Sequence, residues 1–213
     1  MPLSVLFCHG WGFDAGVWDP LAALLPEFAP SRDDAGYFGA PAMPEPMAPY
    51  VAVTHSFGTM RLLAAPRPGL AGLVAIAGFD RFTATDTFPG TPPRMVERMI
   101  GAFAQAPETV LADFRQRCGA SAPVPQFQTE PLMRDLGVLR DGDARAAAAA
   151  LGVPILSLQA ERDPILSFAM RESVFAGAPS VLRRTHPTAG HLLPCEDPAW
   201  CADAIRAFTK TLA

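Results

Sequence analysis

The sequence has no surplus of positive charge: 17 Lys and Arg stand against 21 Asp and Glu, a formal net charge of −4 over 213 residues. With no basic stripe and no recognised binding motif, nucleic acid is excluded as a partner. Long apolar runs are also missing. The alanine run at 146–150 is too short and too mildly apolar to cross a bilayer. The opening P-L-S-V-L-F-C-H-G-W-G carries no charged leader region and reaches a turn within nine residues, so no signal peptide is expected. Cysteine is scarce. The four at 8, 118, 195 and 201 show no C-x-x-C spacing, and the pair at 195 and 201 lacks a second ligand pair, which argues against structural zinc. They are expected as free thiols in a reducing, cytoplasmic compartment. The 23 prolines and 17 glycines follow no short period and therefore punctuate a globular chain.

Half of the residues are hydrophobic, enough for one well-buried core but not for two full domains. L-S-V-L-F-C at 3–8 fits a strand buried on both faces and ends at H-G-W-G. Asp14 is placed to cap a short helix, D-P-L-A-A-L-L-P near 19–26, after which F-A-P-S-R-D forms a weak strand. Further strands are expected at 50–54, 71–77, 153–160 and 180–185, and the chain closes with a helix, A-W-C-A-D-A-I-R-A-F-T-K. Strands alternating with helical segments indicate an α/β parallel sheet. The exception is residues 79–150, without a long β run. In P-P-R-M-V-E-R-M-I-G-A-F, Val96, Met99, Ile100 and Phe103 follow the spacing of one apolar helix face, and 106–117 predicts a second helix. We therefore expect a core of residues 1–78 and 151–213, with 79–150 inserted as a helical lid over the carboxyl edge of the sheet, where open parallel sheets place ligands.

The stretch Y-V-A-V-T-H-S-F-G-T-M at 50–60 runs from a strand into a small-residue helix. A strand-to-helix elbow that presents a nucleophilic serine needs small residues two before and two after it. Gly58 satisfies the second position; Thr54 stands where the motif has glycine and should crowd the first. A bland alternative is that Ser56 only caps the helix. The rest of the chain favours chemistry, because a serine hydroxyl needs a histidine to take its proton and a carboxylate to orient that histidine. In this type of sheet the order is serine, acid, histidine, each beyond a strand end. Asp163 follows the strand L-S-L-Q-A and His191 follows V-L-R-R-T. The rivals are His9, His55 and His186 for the base and Glu161 for the acid. His55 should point away from the serine, and His9 should fix the G-W-G loop. The oxyanion would be held by the backbone N–H groups of Phe57, at the helix start, and of Trp11, after H-G.

H-G-W-G-F-D-A-G-V-W-D-P-L resembles the opening motif of the pimeloyl-[acyl-carrier protein] methyl ester esterases of biotin synthesis, members of the α/β-hydrolases. So do the lid stretches T-D-T-F-P-G-T-P-P-R-M, A-P-E-T-V-L-A-D-F-R and L-G-V-L-R-D-G-D-A-R. The likeness covers most of the chain and implies an α/β-hydrolase fold with a reduced, mostly parallel sheet. It also implies hydrolysis of the carrier-bound methyl ester by Ser56, Asp163 and His191, with Trp11 and Phe57 as oxyanion donors and no cofactor or metal. An acidic acyl-carrier protein would dock on lid arginines, here Arg94, Arg98, Arg115 and Arg117. The ordinary alternative is a solvated surface, since 79–150 holds eight arginines and nine acidic residues. The acyl chain would lie along Phe82, Phe88, Met99 and Phe103, residues that equally suit packing of lid on core. Three departures stand out: Thr54, a sheet without the family's leading hairpin, and no room between Gly39 and the elbow strand for the usual helix. Otherwise the chain is expected to be a monomer. The competing functions are a general carboxylesterase or thioesterase, an acyltransferase, and a non-catalytic ligand-binding relative.

Overall fold

The computed structural model describes residues 3–212. Six strands form: β1 (Ser4–Cys8), β2 (Ser31–Asp33), β3 (Tyr50–His55), β4 (Leu70–Ile76), β5 (Ile155–Ala160) and β6 (Val181–His186). They lie in one sheet in the order β2-β1-β3-β4-β5-β6, and each neighbouring pair runs parallel. Alternate side chains feed two separate cores. Leu6, Ala52, Leu73 and Ile155 point to one face, where α2 (Gly58–Ala64) packs Met60 and Leu63. Phe7, Val53, Val74 and Leu158 point to the other. There α1 (Asp19–Ala22), α8 (Leu193–Glu196) and α9 (Pro198–Thr209) supply Leu21, Leu193, Ile205 and Phe208. Each such fully buried side chain stabilises the fold by roughly 1.5–3 kcal/mol, and burial on both faces is why these strands read as unbroken apolar runs. Asp14 caps a single 3-10 turn, Ala15–Trp18, by accepting from the Gly16 N–H, and so precedes the helix expected near 19–26 rather than starting it.

Strand order reverses between β1 and β3: β2 lies on one side of β1 and β3 on the other. A crevice opens at the carboxyl ends of strands at such a reversal. The loop His9–Gly12 follows β1 and Ser56 follows β3, so chain order alone brings these two segments together. Between Asp34 and Tyr50 no helix forms, as the short spacing required. At the far edge, β6 is largely exposed and carries Arg183 and Arg184, charges that discourage a further strand from pairing there.

Four helices lie between β4 and β5: α3 (Pro93–Gln105), α4 (Pro107–Arg117), α5 (Thr129–Asp141) and α6 (Arg145–Ala149). Of the expected α3 stripe, Val96 and Phe103 are buried and Met99 and Ile100 half-buried. Helix α5 tolerates Pro131 in its first turn, has Gly137 against it in its interior, and is held by buried Leu132, Leu136 and Leu139. The two ends of the insertion are pinned to each other, Arg81 Nη1 lying 2.8 Å from Asp143 Oδ2. A further short helix, α7 (Phe168–Ser173), is capped by the Ser167 hydroxyl, which accepts from the Met170 N–H. All four thiols are free. No described helix is long and apolar enough to cross a membrane.

Candidate active site

Ser56 sits at φ 51°, a left-handed conformation that a serine adopts only when its surroundings impose it. The restraints are visible. Its N–H continues the sheet ladder to the Ile76 carbonyl at 3.0 Å, and its own carbonyl accepts the Thr59 N–H at 3.0 Å. The turn passes so close to β1 that a Cβ on Gly58 would lie 2.3 Å from the Cys8 carbonyl oxygen and 2.5 Å from that of His9. Glycine is obligatory there. Thr54, by contrast, is accommodated: its hydroxyl is 2.7 Å from that of Thr59 and donates to the Val74 carbonyl at 3.3 Å. Thr59 has room because residue 78 is glycine, whose absent Cβ would meet the Thr59 hydroxyl at 2.3 Å.

The Ser56 hydroxyl lies 3.0 Å from His191 Nε2, and His191 Nδ1 lies 2.8 Å from Asp163 Oδ2. All three side chains are buried. Asp163 Oδ1 accepts the N–H groups of Ile165 at 2.7 Å and Leu166 at 3.0 Å. Burial works to raise the Asp163 pKa, but the neighbouring His191 and these hydrogen bonds outweigh it and hold the carboxyl below its ordinary value. An ionised Asp163 only accepts, so His191 carries its proton on Nδ1 and turns the Nε2 lone pair to the serine.

The rival groups are engaged elsewhere. His186 accepts the Ala189 N–H on Nδ1 at 2.9 Å and meets Asp197 Oδ2 at 3.2 Å, which steadies the loop leading to His191. Glu196 steadies the same loop by accepting the Gly190 N–H at 2.8 Å. His9 accepts the Ala35 N–H on Nε2 at 2.9 Å and faces the Gly10 carbonyl with Nδ1. His55 donates Nε2–H to the His191 carbonyl, and burial followed by the nearby His191 pushes its pKa down to about 3. Glu161 is exposed. Among the described residues no cluster of His, Cys, Asp or Glu could hold a metal ion.

Among the described residues, neither the Trp11 nor the Phe57 backbone N–H is taken up by a protein acceptor, leaving both free for an oxyanion. The Trp11 ring is fixed separately, its Nε1–H donating to the Leu132 carbonyl of α5 at 2.8 Å.

Above the serine an inner chamber of about 40 Å³ is lined by Ser56, Trp11, Phe57, Phe79, Leu136 and Leu139. It shares Phe82, Val96, Met99, Phe114 and Ile165 with an outer cleft of about 470 Å³. The outer cleft adds Arg98, Asp113, Arg117 and Ser167. Of the residues expected along an acyl chain, Phe82 and Met99 line both spaces. Phe88 and Phe103 do not: Phe88 is buried in the lid base beneath Arg145, and Phe103 packs edge-on against Trp11. Arg94 and Arg98 are exposed on α3, and Arg117 is exposed with Nη2 on the Pro164 carbonyl at 2.9 Å. Arg115 must be corrected, for it points inward and offers nothing to a docking partner. Its guanidinium lies between the rings of Phe13 and Phe38, and Nη1 donates to the Gly12 carbonyl at 2.8 Å. Leu136, Leu139, Phe114 and Ile165 were missed as lining residues, although Ile165, two places after the acid, was within reach of the motif.

Solved structures superpose over nearly the whole chain. An esterase from Exiguobacterium antarcticum gives a TM-score of 0.82 at 16% identity, covering 98% of this chain and 92% of that one. A bromoperoxidase from Bacillus anthracis gives 0.82 at 13% identity, covering 99% and 92%. The fold is that of the α/β-hydrolases. Within it, this chain sets a serine, a histidine and an aspartate in one hydrogen-bonded row. No family profile matches the sequence. Curated relatives are distant. A biotin biosynthesis bifunctional protein, BioHC, of Cellvibrio japonicus is 29% identical across the whole chain, which spans about half (48%) of that relative's length. The pimeloyl-[acyl-carrier protein] methyl ester esterase of Serratia marcescens is 26% identical, the match covering 96% of this chain and 93% of the relative.

Proposed function

We propose that this α/β-hydrolase is a serine carboxylesterase that cleaves the methyl ester of a pimeloyl chain carried on acyl-carrier protein. The observation that carries the chemistry is the buried row Ser56–His191–Asp163 at the floor of an apolar funnel. Ser56, as nucleophile, passes its proton to His191 Nε2 and attacks the ester carbonyl, while Asp163 holds the imidazolium that forms. The N–H groups of Trp11 and Phe57 take the oxyanion. His191 returns the proton to the departing methoxide, methanol leaves, and water activated by the same histidine releases the acid and restores Ser56.

The substrate assignment rests on softer supports: the named activity of the distant relatives, the shape of the funnel and the charge at its mouth. A small chamber beside the serine suits a methyl group. The outer cleft, within the usual range for small-molecule sites, suits a seven-carbon chain leading to the surface. Arg94 and Arg98, one turn apart on α3, with Arg117 opposite, would meet the acidic carrier. A second reading, an esterase of small free esters, is favoured by Asp113, which adds a carboxylate to the same rim. The test is kcat/KM for methyl pimeloyl-carrier protein beside free dimethyl pimelate, with Ser56→Ala as blank. Preference for the carrier-bound ester, lost in the blank, supports the proposal; equal rates, or activity on the small ester alone, leave the esterase and overturn the carrier.

A further inference from the structure

The loop that would supply one oxyanion donor is not held by the sheet alone. After β1 the chain turns through Gly10, Trp11 and Gly12, the last at φ 75°. Two lid helices grip it there. From α4, Arg115 donates Nη1–H to the Gly12 carbonyl at 2.8 Å; from α5, the Leu132 carbonyl accepts Trp11 Nε1–H at 2.8 Å. The gripped carbonyl belongs to the Gly12–Phe13 peptide, and only the Trp11–Gly12 peptide, anchored by the Trp11 side chain, lies between it and the Gly10–Trp11 amide whose N–H is free.

Arg115 is an uneconomical residue for packing. It is 9% exposed, no carboxylate lies within ion-pair distance among the described residues, and its Nε has no partner. Two aromatic rings, Phe13 at 5.1 Å and Phe38 at 5.4 Å, stabilise its charge, with the Asp14 carboxylate helping from beyond ion-pair distance. An apolar side chain there would avoid the desolvation cost. What the guanidinium adds is a charge-assisted hydrogen bond to one main-chain oxygen, the kind that fixes a peptide plane.

We infer that Arg115 is a positioning residue that sets the orientation of the Trp11 amide, so that the lid forms part of the oxyanion hole rather than only a cover over the cleft. This rests on the serine-hydrolase reading of Ser56.

The experiment compares wild type with Arg115→Met and Arg115→Lys on one methyl ester, with active sites counted by fluorophosphonate titration. Each protein is also challenged with the trifluoromethyl ketone of the same acyl chain. Ser56 Oγ adds to that carbonyl, its proton goes to His191, and the carbonyl pair becomes an oxyanion in the hole. In Arg115→Met, kcat per titrated site falls about 10- to 100-fold with KM within about threefold. The ketone's Ki rises by the same factor as kcat/KM falls, and Arg115→Lys recovers part of both. A merely structural Arg115 lowers Tm but leaves kcat per titrated site and Ki within twofold of wild type, which overturns the inference. If Arg115→Met does not fold, Arg115→Gln, which gives up the charge and keeps a polar donor, is judged by the same two ratios. Wild type that neither hydrolyses esters nor takes the fluorophosphonate would instead refute the serine-hydrolase reading.

Discussion

His55 donates its Nε2–H to the main-chain carbonyl of His191 across 2.9 Å, so the neighbour of the serine in sequence fixes the histidine that lies against it in space. The ring of His55 is fully buried among Phe13, Trp18 and His191. With its pKa pushed down to about 3 it stays neutral at any working pH and acts only as a donor.

Replacing His55 by Phe keeps an aromatic ring in that nest and removes the donor. The His191 carbonyl is then buried and unpaired, which costs about 1–3 kcal/mol, or a Tm lower by about 2–12 °C. Loosening of His191 should lower kcat about tenfold with little change in KM. Calorimetry and steady-state kinetics read the two effects; a variant as stable and as fast as wild type would contradict this role.

The sign of the Asp163 contribution is set by its depressed pKa. A carboxyl held below its unfolded value stabilises the fold above the ordinary carboxylate range, and this stabilisation disappears as pH falls through the folded value. Asp163→Asn should therefore be less stable than wild type at pH 7, with the gap narrowing once the pH drops below about 4. The asparagine would also favour the wrong His191 tautomer, and kcat should drop by about 10⁴. Urea titrations across pH follow the first effect. A stability gap that widens in acid would have the wrong sign.

Thr54→Gly restores the small residue of the usual elbow, yet it should not improve the enzyme. It strips the Thr59 hydroxyl of its 2.7 Å partner, opens a void in a buried strand and adds backbone freedom. Together these cost about 2–4 kcal/mol. Chemical denaturation measures the loss, and kcat should stay within about threefold. A variant that is more stable would show that Thr54 is strained rather than satisfied.

Arg94→Glu with Arg98→Glu reverses two exposed charges beside the cleft. For a carrier-bound ester KM should rise about tenfold or more, with the effect shrinking as salt is added. The free dimethyl ester should be turned over within about twofold of the wild-type rate. Equal effects on both substrates would place these arginines outside carrier docking.

The strands were legible because parallel strands buried on both faces appear as bare apolar runs; the expected limits differ from β1, β3, β4, β5 and β6 by no more than two residues. The elbow was legible because Gly58 and the order of Ser56, Asp163 and His191 follow from topology. What the sequence hid was which way a side chain turns. Leu111, Phe114 and Arg115 on α4, with Cys118 at its C-cap, form one inward stripe in which an arginine replaces an apolar residue. Helical spacing carries that information, but charge suggests the opposite. Phe88 and Phe103 misled for a related reason: an aromatic on a lid fits cavity wall and core equally well, and only the packing of Phe103 on Trp11 and of Phe88 beneath Arg145 decides.

The most direct measurement is peptide-mapped mass spectrometry of the protein after treatment with a fluorophosphonate, alongside Ser56→Ala and His191→Ala. We predict a single adduct on Ser56 in wild type, none in Ser56→Ala, and labelling slowed by at least about 10³-fold in His191→Ala. An unlabelled Ser56, or an adduct that forms as fast without His191, would contradict the account.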